Sequence, residues 1–156
     1  IGHVAGHDNL LLKITLTTHL AAIAFWIGIL APLRSLSLSE QTWPEAAGLG
    51  QRFGEIAKFI VPLLIAAGIY MSFILVGSLD ALINTGYGQA LILKLAVVSL
   101  LLVLAAANKL RFIPGLQKNN PNAAKNLIRS ISAEWAAIFA ILGITAVMTS
   151  SLTLPM

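Results

Sequence analysis

The sequence predicts an all-α fold, a polytopic membrane protein built as one bundle of four transmembrane helices, and three observations predict it. Hydrophobic residues make up 58% of the chain and charged residues 10%, against about 25% charged in soluble domains. Four stretches, 12–33, 56–79, 90–110 and 133–154, each hold roughly 20 or more mainly apolar residues, the length that crosses ~30 Å of hydrocarbon at ~1.5 Å per residue. None of the four alternates apolar and polar residues in the dyad pattern of a membrane-spanning strand. One such stretch suits a buried helix of a soluble protein. Four in succession leave too little polar chain to form a soluble exterior, and the mean hydropathy of +0.88 says the same.

The elements follow in chain order as a single domain, residues 1–156. Ile1–Asn9 reads as the tail of a loop from a longer protein, because the chain begins at Ile rather than Met and no signal peptide precedes the first span. The first loop, Leu36–Arg52, has room for a short interfacial helix around Pro44–Leu49. The second loop, around Asp80–Gln89, contains no lysine or arginine. The third carries Lys109, Arg111, Lys118, Lys125 and Arg129 with no acidic residue before Glu134. Its Pro114-Gly115 and Asn119-Asn120-Pro121-Asn122 are turn signals rather than a folded domain. By the positive-inside rule this basic loop is cytoplasmic. Alternation places the first loop, with Arg34, Arg52 and Lys58 diluted by Glu40, Glu45 and Glu55, on the same side, and both termini outside.

Composition also removes whole classes of chemistry. The cysteine count of 0 excludes disulfides, thiolate metal sites and cysteine nucleophiles. The net charge of +4 belongs to the topogenic loop and membrane lipid rather than to nucleic acid. No Ser-His-Asp arrangement presents itself, so hydrolytic catalysis is not expected and the chain is not read as an enzyme.

Ionisable groups within spans are costly and usually face the bundle interior, so function is sought there first. Topology sorts them by depth. Arg52, Asn108, Arg111 and Glu134 fall at the cytoplasmic end, where Glu134 is expected to pair with Arg52 or Arg111, with Asn108 hydrogen-bonding nearby. Such a network fixes how helices dock, or relays a proton or ion. His3, His7, Asp8, His19, Lys94, Met71 and Met148 fall at the outer end. His19 shares a helical stripe with Thr15, Ala22 and Trp26. Lys94 sits about a turn inside the bilayer boundary, placed to snorkel outward. Imidazoles with thioethers suit copper or zinc, and methionine favours Cu(I), so His3, His7, His19, Met71 and Met148 are the candidate metal ligands. Alternatively the histidines are solvated side chains.

The order of local motifs resembles one family. Gly2-His3, His19-Leu20-Ala21-Ala22 and Trp26-Ile27-Gly28 are similar to the opening of the copper-resistance protein D family. Arg52-Phe53, the span with Gly68, Thr85–Lys94, Asn108-Lys109, Leu110–Pro114, Ser130–Glu134 and Pro155 follow in family order. The resemblance implies a bacterial inner-membrane protein with about twice as many helices, of which this chain would be the C-terminal half. It implies copper handling, described as transport from periplasm towards cytoplasm beside a small periplasmic copper-binding partner. It makes His3 and His19 the motif histidines and leaves Lys94, Asn108 and Glu134 without an assigned role. Within the Thr85–Lys94 motif, Gly86 and Gly88 are expected to form a tight outer turn around Tyr87, glycine reaching positive φ at little cost, with Tyr87 at the lipid interface.

Three functions remain open at this point. The first is copper passage or sensing with copper as cargo. The second is a membrane redox protein holding haem b, for which only His19 lies in a span, so another ligand would come from a loop, further helices of the same protein or a homo-oligomer. The third is a scaffold that docks a periplasmic copper-binding protein.

Overall fold

The computed structural model describes residues 2–150, with side chains from Leu10 onward except Leu12. The side chains of His3, His7 and Asp8, and residues 151–156 including Pro155, lie outside the described residues. The chain folds as helices α1 (Gly2–Ser37), α2 (Trp43–Val76), α3 (Leu79–Asn84), α4 (Gly86–Ala107), α5 (Ile113–Gln117) and α6 (Pro121–Ser150). A 3₁₀ turn, Glu40–Thr42, joins α1 to α2, and a π-helical segment, Asn108–Phe112, joins α4 to α5. No strand occurs among the described residues, and four helical segments are long and apolar enough to cross a membrane. The all-α transmembrane fold expected from the sequence is therefore the fold observed.

The long helices outrun the spans expected from hydropathy. The 34 residues of α2 extend ~50 Å at ~1.5 Å per residue. Its first turns absorb the stretch where a separate interfacial helix was expected. Pro44 occupies the first turn, where its missing N–H costs nothing, and Glu45 meets the positive end of the helix dipole. The reason no separate helix forms lies just upstream, where side chains close α1 cleanly. Ser37 Oγ donates to the Leu33 carbonyl at 2.7 Å, Thr42 Oγ1 to Leu36 at 2.6 Å and Trp43 Nε1 to Ser37 at 3.1 Å. With those terminal carbonyls satisfied, the turn is complete and α2 starts at once.

Helix α1 lies against α2 and α6, and α6 lies against α4; α2 and α4 meet sparingly, so a gap opens between them. Outward faces are apolar, with Phe59 79% and Phe73 76% exposed, as a lipid-facing surface requires. The main core gathers toward the end bearing the basic loop, hereafter the basic end. Trp26, Leu30, Leu33, Trp43, Leu116, Leu127 and Ile131 are all buried there. Three close approaches tighten it. A Cβ on Gly50 would stand 2.3 Å from Ile113 Cδ1, one on Gly54 3.2 Å from Lys109 Cδ, and one on Gly115 2.4 Å from Ala123 Cβ. Small residues at such contacts let membrane helices pack by backbone proximity.

The opposite end has a smaller cluster of Val76, Tyr87, Leu91 and Met148. Helix α2 stops there at Gly77, which adopts φ 72° and donates its N–H to Phe73. Ser78 caps α3, and Thr85 caps α4 by accepting from the Gly88 N–H at 3.0 Å while donating to Ala81 at 2.6 Å.

Here the motif around Tyr87 differs from expectation. Gly86 and Gly88 are helical and neither has positive φ. Gly88 is small because the α3 backbone lies against it: a Cβ would come within 2.2 Å of the Leu82 carbonyl oxygen. Tyr87 is buried within the small cluster rather than displayed at a lipid interface.

Candidate functional site

A buried carboxylate joins three helices at the basic end. Glu134 of α6 is 1% exposed. Its Oε2 accepts from Trp26 Nε1 of α1 at 3.2 Å, and its Oε1 accepts from Asn108 Nδ2 at the start of the π segment. Each partner is held in turn. Trp26 stands edge-on to Phe53 of α2, ring centroids 5.6 Å apart at 85°, a favoured aromatic geometry. Asn108 is placed by the wide turn, closed by the Ile113 N–H reaching the Asn108 carbonyl. Pro114 accounts for that turn, since its ring can neither donate to nor lie against the carbonyl four residues back.

The partners of Glu134 differ from those expected. Arg52 and Arg111 are exposed, and neither reaches it; the ion pair found among the described residues is Lys58–Glu55 at 2.6 Å on the surface of α2. The physical reason is register. The π segment directs Lys109 toward α2, where its Nζ donates to the Gly54 carbonyl at 2.9 Å, and leaves Arg111 outward. The sequence reading missed Trp26 as a partner. Its signal was available: an indole N–H at membrane depth is a donor that must find an acceptor.

A cavity of about 240 Å³ adjoins this site in the gap between α2 and α4. Phe53, Gly54, Lys58, Asn108, Lys109 and Glu134 are among its walls. Two further buried polar atoms lack partners: Asn108 Oδ1, on a residue of that wall, and Ser130 Oγ, one turn before Glu134 on α6. The site can therefore hold a small positively charged guest or a water molecule against oxygen atoms.

The outer residues are only partly brought together. His19 lies on the stripe of α1 that continues through buried Ala22, Trp26, Leu30 and Leu33, seven residues and ~10 Å along the helix from Trp26. Its Nδ1 is buried without a partner. Met148 is buried beside Tyr87 and Leu91, whereas Met71 is half-buried and belongs to neither core cluster. Among the described residues no group of three His, Asp or Glu side chains could hold a metal ion.

Four lipid-facing helices around a buried carboxylate define a polytopic membrane protein with a polar site inside its bundle. The family described as copper resistance protein D matches residues 47–148, and the chain belongs to that family. It is 31% identical over 135 residues to the copper transport protein CutJ of Bacillus subtilis (strain 168), covering 85% of this chain and 24% of that protein. It is 29% identical over 141 residues to the inner membrane protein YebZ of Escherichia coli (strain K12), covering 87% of this chain and 48% of that one. The chain thus spans about a quarter and about half of the length of these two relatives. No solved structure matches it.

Proposed function

We propose that this chain is a copper-handling membrane unit of the bacterial inner membrane that moves copper from the periplasm towards the cytoplasm. The observation that carries this reading is the copper resistance protein D match across most of the four-helix bundle. The relative named for copper transport supports it. The basic end faces the cytoplasm, because it holds all the lysines and arginines except Lys13 and Lys94. His3, His7, His19, Met71 and Met148 form the outward-facing set that first takes the metal, supplied by a periplasmic copper-binding protein. His19 supports this set most directly. Its ring nitrogen is buried with no hydrogen-bond partner, and a neutral imidazole nitrogen in that state is a ready ligand for Cu(I).

The reading is tested by titrating Cu(I) into the detergent-solubilised protein and a His19→Ala variant. The expected outcome is at least about a tenfold loss of affinity in the variant, or ~1.4 kcal/mol. Equal affinity and stoichiometry in the two proteins would remove His19 from the set.

A further inference from the structure

We propose that Glu134 is a proton-binding site, loaded and unloaded through the cavity at the basic end, and separate from any site that holds copper. Electrostatics gives the first reason. An ionised carboxylate withdrawn from water must be compensated, yet both donors to Glu134 are neutral N–H groups. The charged groups that share the cavity wall with Glu134 are Lys58 from α2 and Lys109 from the π segment; α1, α4 and α5 add none, and α6 none besides Glu134. Neither lysine forms an ion pair with Glu134. Lys58 is paired with Glu55 at 2.6 Å, and Lys109 is bonded to the Gly54 carbonyl at 2.9 Å. The carboxylate thus keeps room for a positive guest of its own.

The chemistry of the surroundings selects the guest. The cavity wall contains no histidine or methionine, so a soft metal ion finds none of its preferred ligands there. An oxygen atom without a partner, Asn108 Oδ1, is buried on the residue whose amide already reaches the carboxylate. A proton on Glu134 turns one carboxyl oxygen into a donor, for which Asn108 Oδ1, or a water in the cavity, is an acceptor. A cavity of about 240 Å³ has room for several such waters. Protonation changes what Trp26 is bonded to, and Trp26 lies two turns from His19 on one stripe of α1.

The experiment uses Trp26 as the reporter. Fluorotryptophan is incorporated into the whole chain, and its three tryptophan resonances are followed by fluorine NMR from about pH 5 to about pH 9, a range bracketing buried carboxylates. Trp26→Phe identifies the signal. The expected result is a single pH-dependent shift of the Trp26 resonance that is absent in Glu134→Gln and retained in Glu134→Asp. A Trp26 resonance that stays fixed across the range, or that moves equally in Glu134→Gln, overturns the proposal. A shift driven by sodium or potassium at constant pH also overturns it, replacing the proton by an alkali cation. If Glu134→Gln does not fold, Asn108→Leu serves instead, with a displaced midpoint expected and an unmoved one counting against the site. No copper is present, so the outcome is independent of the copper reading.

Discussion

The two ends of the bundle differ in how tightly they are packed and in how their central ionisable side chain is held. At the basic end, Glu134 has a donor on each oxygen, from two other helices, inside a continuous core running from Trp26 to Ile138. At the other end the packed cluster shrinks to Val76, Tyr87, Leu91 and Met148, and His19 keeps a ring nitrogen without a partner. Lipid tails are as apolar as leucine, so helices in a bilayer associate through packing and interhelical hydrogen bonds rather than hydrophobic expulsion. The basic end has both. The opposite end has little of either, and a side chain held loosely there can exchange its partners.

That contrast can be broken by measurement. The largest expected effect is from Leu127→Ala, at a fully buried position of the basic end. It should cost about 2–5 kcal/mol in reversible unfolding from mixed micelles, the range for a cavity in a packed core. Leu91→Ala at the other end should cost clearly less, because its sparse surroundings can collapse. Equal losses would end the comparison. An intermediate effect is expected for Gly88→Ala, about 1–3 kcal/mol, because its Cβ meets backbone that cannot rotate away. It would show that the sparse end is still fixed at one point. The smallest is Trp26→Phe, which deletes one bond to Glu134 and should cost about 0.6 to 1.7 kcal/mol, the scale of interhelical hydrogen bonds in membranes. A larger loss would mean that the carboxylate depends on the indole for more than one bond.

The helices were legible in the sequence because a span is a matter of length and composition, and both are written in the order of residues. Glu134 and Asn108 were legible as polar groups at membrane depth for the same reason. Their partners were not. Choosing Arg52 or Arg111 over Trp26 follows from pairing opposite charges, but which side chain meets Glu134 is set by helix rotation. For Arg111 that rotation depends on the turn around Pro114, and a one-dimensional pattern does not report it. The role of Gly88 was hidden likewise, since close approach and positive φ both ask for glycine. The helix around Pro44–Leu49 was legible but its continuity with α2 was not, because hydropathy sees only what lies in lipid, while Trp43, Ala46 and Ala47 are buried against protein.

The segment from Asn108 to Phe112 carries a consequence of its own. An α-helix advances about 100° per residue, so a turn wide enough to close on the fifth residue sets the phase of everything after it. Asn108, ahead of that turn, addresses α6; Ile113, after it, addresses Gly50 of α2. Tightening those five residues into a regular helix without removing one would swing α5 by roughly a quarter turn, whereas the wide turn takes up the fifth residue with little change of phase. Leu110, 72% exposed, can vary at modest cost, but the turn that takes up the extra residue cannot tighten without turning α5 away from α2. At this place the sequence specifies structure by counting.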